Sequence, residues 1–294
     1  MTTVAEPIIR QGRVKGFLRL VAIEHSVFAL PFAYVAALTA MRHHVRWGDL
    51  VLVTVAMVAG RTFAMAANRV IDRELDARNP RTASRELVTG ALSVRTAVVG
   101  MAVSIVVFLG AAALLSPLCL ALAPVALLPL TAYPYAKRFT WLCHYVLGVA
   151  QAVAPVGAWV AVTGTFDRVA PAIWLGLAVG LWIAGFDVIY ACQDVESDRR
   201  EGVYSLPARW GVPAALVVSA LTHVVTVALL VAFGVAAHLG GLWYAGVALA
   251  AVALAYEHSI VHADDLSRVN RAFFTVNGYV GIGLFVFAVA DLFS

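Results

Sequence analysis

From Val21 onward the chain alternates long apolar runs with short polar interruptions. The runs are roughly 20 residues long, the length a helix needs to cross a bilayer. They predict about nine helices, near 18–41, 48–75, 95–115, 117–136, 141–163, 169–193, 213–236, 241–262 and 272–292. Ser116-Pro117 and Gly240-Gly241 read as tight turns between neighbouring helices. Strands of a membrane barrel would alternate in polarity over roughly 10 residues, and these runs do not. The reading is therefore an all-α polytopic membrane protein, with residues 1–294 as a single transmembrane domain.

Composition strengthens this picture. Of 294 residues, 62% are hydrophobic and 13% charged, and the mean hydropathy is +0.87. A soluble domain carries about 25% charge, so a water-soluble enzyme, a disordered chain and a disulfide scaffold are all excluded. Cys119, Cys143 and Cys192 lie in apolar stretches without C-x-x-C spacing and read as packing residues. The first 20 residues, with Arg10, Arg13, Lys15 and Arg19, read as a basic tail rather than a cleavable signal.

Charge then sets orientation. With the N-terminus inside, 17 of the 21 Lys and Arg fall on the inner side. The positive-inside rule accounts for this bias, and for the net charge of +4 without any nucleic-acid partner. The protein is thus expected in the cytoplasmic (inner) membrane. The inner segments 76–94 and 194–212 are long for a compact chain, which favours a functional role.

Both long segments begin with acidic rows. Asn68, Asp72 and Asp76 follow i, i+4, i+8 spacing and share one helical face with Arg61. Glu74 points away. Asp187, Asp194 and Asp198 form a second row, and both rows are followed by arginines and glycine. Their four-helix offset suggests related halves, 18–136 and 141–262, plus a final helix 272–292. Carboxylates at a span end can simply meet water. Here, however, they repel at i, i+4, oppose the helix dipole, and are costly inside a membrane. A cation relieves all three penalties. Without His or Cys at ligand spacing, hard-oxygen chemistry favours Mg²⁺, Mn²⁺ or Ca²⁺ over zinc or copper, and Mg²⁺ commonly pairs one or two carboxylates with phosphate oxygens. Two facing acidic rows with arginines nearby describe a site for two Mg²⁺ ions and a diphosphate. Set beside an apolar interior, the diphosphate implies a polyprenyl tail.

The motifs that carry a resemblance are N-x-x-x-D-x-x-x-D at 68–76, N-P-R-T-A-S-R-E-L at 79–87, Y-P-Y-A-K-R at 133–138, D-V-I-Y-A-C-Q-D-V-E-S-D at 187–198 and S-L-P at 205–207. With E-H-S-V-F-A-L-P-F at 24–32 and F-F-T-V-N at 273–277 they span nearly the whole chain. The sequence resembles the UbiA superfamily of intramembrane aromatic prenyltransferases, and within it the 4-hydroxybenzoate polyprenyltransferases of quinone biosynthesis. R-T-A-S-R-E-L and R-V-N-R-A-F-F-T-V-N look closer to the branch of futalosine-derived menaquinone. Ser197 stands where many relatives carry another Asp.

The resemblance implies nine helices around a central cavity capped by cytoplasmic loops. By analogy, Asn68, Asp72 and Asp76 hold one Mg²⁺, and Asp194 and Asp198 the other. The implied reaction moves a polyprenyl group from its diphosphate to a small aromatic acid in ubiquinone or menaquinone biosynthesis, by ionisation and electrophilic aromatic substitution. No protein partner is implied. Arg61, Arg81, Lys137, Arg138, Tyr190 and Gln193 are the candidate substrate contacts, Lys137 and Arg138 for the diphosphate or the aromatic carboxylate. Asp187, deeper than Asp194, is the candidate for orienting the ring or a nearby arginine. Glu24 and His25 are cavity liners or interfacial residues, His43 and His44 fall in an outer loop, and the polar group from Tyr256 to Asp265 reads as a solvated helix end. A secondary transporter also carries intramembrane acids and internal repeats, but its site lies at the midplane rather than at one face.

Overall fold

The structure is a computed structural model that describes residues 13–21, 29–42 and 44–294. In chain order the helices are α1 (Arg13–Leu20), α2 (Leu30–Met41), α3 (Trp47–Ile71), α4 (Arg73–Arg78), α5 (Glu86–Thr89), α6 (Val94–Leu115) and α7 (Pro117–Ala136). Then come α8 (Cys143–Thr163), α9 (Ala170–Ala191), α10 (Val195–Glu201), α11 (Leu206–Trp210), α12 (Val212–Ala237), α13 (Gly241–Ile260) and α14 (Asn277–Leu292). A 3₁₀ turn at Cys192–Asp194 joins α9 to α10, and a π-helical turn at Arg271–Val276 leads into α14. No strand occurs among the described residues.

The helix ends follow local chemistry. Ser116 caps α7 by accepting from the Cys119 N–H at 3.1 Å, with Pro117 at the first helical position, where its missing N–H costs nothing. Ser93 caps α6 in the same way. Gly164 and Gly202 end α8 and α10 at φ 69° and 66°, a conformation that a Cβ would strain.

Seven described helices are long and apolar enough to cross a membrane. The first of the nine expected spans falls partly on residues outside the description. The eighth, α13, has 20 residues but carries Glu257 and His258 near its end. Outward faces are apolar: Val99, Val103 and Val106 on α6, and Val217, Leu221 and Val224 on α12, are exposed at i, i+4, i+7 spacing. Such stripes suit hydrocarbon as the surrounding solvent.

Small residues bring the central helices together. On α8 and α9, Gly148 and Gly180 face each other so closely that a Cβ on Gly180 would lie 2.8 Å from the Gly148 carbonyl oxygen. A Cβ on Gly176 would lie 2.7 Å from the Ala152 oxygen. This is the small-x-x-x-small contact that lets backbones approach where no hydrophobic drive exists. Helix α12 packs on the other side of α9, α6 packs on α3, and α2 packs on α8. The core between them includes Phe32, Trp182 and Phe186, stacked edge to face at centroid distances of 5.3 Å.

The structure corrects one expectation. Glu257 and His258 are not a solvated helix end. Glu257 is fully buried and accepts from Asn277 Nδ2 at 2.9 Å, while Trp182 Nε1 donates to Asn277 Oδ1 at 2.7 Å. His258 is hydrogen-bonded to His223 at 2.9 Å. Helices α9, α12 and α14 close over the face of the last turn of α13 that carries Glu257. Tyr256, His262, Asp264 and Asp265 are exposed, as expected.

Candidate diphosphate and metal site

The first acidic row sits where α3 passes into α4. The Asp72 N–H bonds the Asn68 carbonyl at 2.9 Å and the Asp76 N–H bonds the Asp72 carbonyl at 2.8 Å. The i→i−4 ladder therefore runs through the junction and keeps the row on one face. Asp72 is 1% and Asp76 6% exposed, whereas Glu74 faces solvent. The second row sits at the matching place, where α9 passes through its 3₁₀ turn into α10.

Both rows line one cavity of about 850 Å³, together with Arg61, Asn68, Asp187 and Tyr190. Along α3 its lining extends from Asp76 to Val53. At 1.5 Å per residue, Asp72 to Val53 alone is roughly 28 Å, close to the thickness of a hydrocarbon core. Charged side chains gather at one end. Below them the walls are apolar, with Met57, Phe108, Leu122 and Val156 among the lining residues.

A buried carboxylate must be paired or bonded, and each of these is. Asp72 accepts from Lys137 Nζ at 2.5 Å and forms an ion pair with Arg138 at 3.1 Å. Asp76 accepts from Arg85 at 2.5 Å. Asp194 takes both arms of Arg81, at 2.9 and 2.5 Å, and a third bond from Asn79 Nδ2 at 2.8 Å. Arg81 also donates to the Tyr190 hydroxyl at 3.0 Å and lies over that ring, 5.0 Å from its centroid. Burial alone would loosen the Arg81 proton, but the hydrogen bond and charge of Asp194 outweigh it and raise its pKa above the ordinary value. Asp198 accepts from Ser205 Oγ at 2.7 Å, and Asp187 is bonded to His144 at 2.7 Å. Asn68 donates to the Tyr133 hydroxyl at 2.7 Å.

Most predicted residues thus converge: Arg61, Asn68, Asp72, Asp76, Arg81, Lys137, Asp187, Tyr190, Asp194 and Asp198 all line the cavity. Two candidates do not. Arg138 spends its guanidinium on the Pro134 and Ile71 carbonyls, at the ends of α7 and α3, and reaches only Asp72 from behind. Gln193 donates to the Tyr190 carbonyl and does not line the cavity. Glu24, His25 and His43 lie outside the described residues.

Sequence reasoning gave no role to Asn79, Tyr133, His144 or Ser205, and took Arg85 only as one of several arginines after the first row. Asn79, Arg81 and Arg85 share the N-P-R-T-A-S-R stretch, and that clustering was a readable signal. His144 stands alone in an apolar run and offered none.

The rows also meet the test for a hard cation. The first offers Asp72 and Asp76, and the second Asp194 and Asp198 with Asp187 deeper; Mg²⁺ commonly takes one or two carboxylates and completes its shell with water and phosphate oxygens. Among the described residues Asp72 Oδ1 is buried without a hydrogen bond, 3.1 Å from an Arg138 nitrogen, while Lys137 holds the other oxygen. No group of three or more His, Cys, Asp and Glu side chains that could hold a metal occurs among the described residues, so an all-protein cage such as structural zinc requires is not found there.

Comparison with known proteins identifies the family and the fold. Residues 29–279 match the UbiA prenyltransferase family. A 4-hydroxybenzoate octaprenyltransferase of Alkalilimnicola ehrlichii is 32% identical over 244 residues, covering 83% of this chain and 82% of that protein. The apo structure of a UbiA homologue from Aeropyrum pernix superposes with a TM-score of 0.84 at 36% identity, covering 92% of this chain and 98% of the other. A UbiA homologue from Archaeoglobus fulgidus, solved with GPP and Mg²⁺, shares the fold with a TM-score of 0.72 at 19% identity, covering 95% and 100% of the two chains. An integral membrane protein with this fold and this match over most of its length belongs to the UbiA prenyltransferase family.

Proposed function

We propose that the protein is a Mg²⁺-dependent aromatic polyprenyltransferase. It takes a polyprenyl diphosphate and a small aromatic acid, a 4-hydroxybenzoate-like or dihydroxynaphthoate-like ring, in the biosynthesis of ubiquinone or menaquinone. The observation that carries this reading is a cavity, roughly 28 Å long from Asp72 to Val53, with its carboxylates at one end and, Arg61 apart, mainly apolar walls beyond them. Relatives that bear the name 4-hydroxybenzoate octaprenyltransferase, and a fold relative solved with GPP and Mg²⁺, support it.

In this reading Asn68, Asp72 and Asp76 hold one Mg²⁺ and Asp194 and Asp198 a second. A bound ion supplies charge neutralisation that makes the diphosphate a better leaving group. The protein does the rest. Arg81, Arg85 and Lys137 offer phosphate-binding cations on the cap side, and Arg61 one from within the span. The apolar walls hold the prenyl chain and keep water from an allylic cation. Asp187, half-buried and without an arginine or lysine partner among the described residues, faces the acceptor ring and accepts its hydroxyl proton. The Lys and Arg bias supports a charged end that faces the cytoplasm at the inner membrane.

The test is purified protein with geranyl diphosphate and a panel of aromatic acids. A prenylated product and released pyrophosphate are expected, lost with EDTA and restored by Mg²⁺. Turnover indifferent to chelation would remove the metal from the reading. Uptake into vesicles without any prenylated product would replace it with transport.

A further inference from the structure

Six carboxylates line the charged end of the cavity, and four of them, Asp72, Asp76, Asp194 and Glu201, carry a Lys or Arg partner. The other two, Asp187 and Asp198, are held by His144 and Ser205. Both of those donors meet the same short strap, residues 203–206, between α10 and α11. The Val203 N–H bonds the Asp198 carbonyl at 2.8 Å, and the Tyr204 N–H bonds the Lys137 carbonyl at 2.7 Å. Cys143 Sγ reaches the Tyr204 carbonyl at 3.3 Å, and the Leu206 N–H reaches His144 Nε2 at 3.3 Å.

The ring bridges two partners. Its Nε2 faces the Leu206 N–H at 3.3 Å, and its Nδ1 lies 2.7 Å from Asp187 Oδ2. His144 is 3% exposed at the first turn of α8, and these two bonds satisfy both its nitrogens. The His144 ring orients Asp187 through this bond. One carboxylate oxygen is pinned to the helix wall and the other is left for the cavity that Asp187 lines.

We infer that His144 is a positioning residue for the acceptor half of the reaction: it holds Asp187 in the orientation that receives the aromatic hydroxyl, and it takes its own orientation from the 203–206 strap. The inference rests on the proposed role of Asp187. It separates from the acidic rows, which serve the diphosphate, and so it predicts a split between the two substrates.

Isosteres divide the two bonds of the ring. An Asn amide can place its N–H where Nδ1 stands and serve Asp187, whereas a Gln amide reaches the Nε2 position and serves Leu206. For His144→Leu, kcat/KM for the aromatic acid should fall about 10- to 100-fold, the worth of a hydrogen bond to a charged group, while KM for geranyl diphosphate stays within about twofold. His144→Asn should recover most of the loss, and His144→Gln should not. Rescue by Gln alone, equal loss for both substrates, or a silent His144→Leu would each overturn the inference. If His144→Leu does not fold, the Asn and Gln variants decide between the same outcomes. Asp187→Asn distinguishes the underlying reading. If it leaves acceptor kinetics unchanged, the role of Asp187 falls and that of His144 falls with it. If it impairs them while His144→Leu does not, only the inference about His144 is lost.

Discussion

Arg81 joins the two acidic rows, and its replacement gives the sharpest test of the site. It donates twice to Asp194 and once to Tyr190, and the Arg81 and Asp194 side chains are 33% and 13% exposed. A hydrogen bond to a charged group contributes about 1.5–3 kcal/mol. With a third of the guanidinium in contact with water, the lower end applies, and the two-pronged contact is worth about 2–3 kcal/mol. The same fork fits a phosphate as well as a carboxylate. If that energy passes to the diphosphate when substrate binds, Arg81→Ala lowers kcat/KM for geranyl diphosphate roughly 30- to 150-fold, at 1.4 kcal/mol per decade. Arg81→Lys keeps the charge but loses the fork and the stack on Tyr190, so it should fall between, at about tenfold. Its raised pKa keeps Arg81 charged throughout the working pH range, so the loss should not depend on pH. Initial rates with varied geranyl diphosphate at saturating aromatic acid measure the effect. An Arg81→Ala enzyme within threefold of the parent, or a Lys variant equal to it, would refute the reasoning.

Asp72→Asn should abolish turnover and also lower stability by about 1.5–3 kcal/mol, because Asp72 is buried between Lys137 and Arg138; melting in detergent beside the turnover assay checks both, and an active variant would contradict the site. Gly148→Ala should prevent α8 from seating on α9, since its Cβ would run into the Gly180 carbonyl, whereas a Cβ at Gly157 meets nothing within 4 Å and Gly157→Ala should be tolerated; yield and monodispersity read the difference. Glu257→Ala should cost about 2–4 kcal/mol, from the void and the lost Asn277 bond, while Glu257→Gln keeps the shape and should cost much less, again by melting.

The spans, their order and the two acidic rows were legible because each rests on a period that the helix imposes. Apolar runs set the spans, and steps of four set the rows. The Arg81–Asp194 fork was half legible: both residues stood out, but their pairing depends on how α4 and α10 approach, and no local pattern encodes that. His144 and Glu257 were invisible for a common reason. A polar residue in an apolar helix reads the same whether it meets water at the end or a partner from another helix. Asp187 and Asn277, 43 and 20 residues away along the chain, decide the matter. Gln193 was misplaced by the converse error, since adjacency to Asp194 in sequence puts it on a different face of the turn.

The bonds from Asn79 and Arg81 to Asp194 span more than a hundred residues. During synthesis the first row is therefore complete long before its counterpart leaves the ribosome, and neither half of the polypeptide can assemble the reaction centre by itself. Two separately expressed fragments, cut between α8 and α9, would be inert alone and would recover activity only on meeting in the same bilayer.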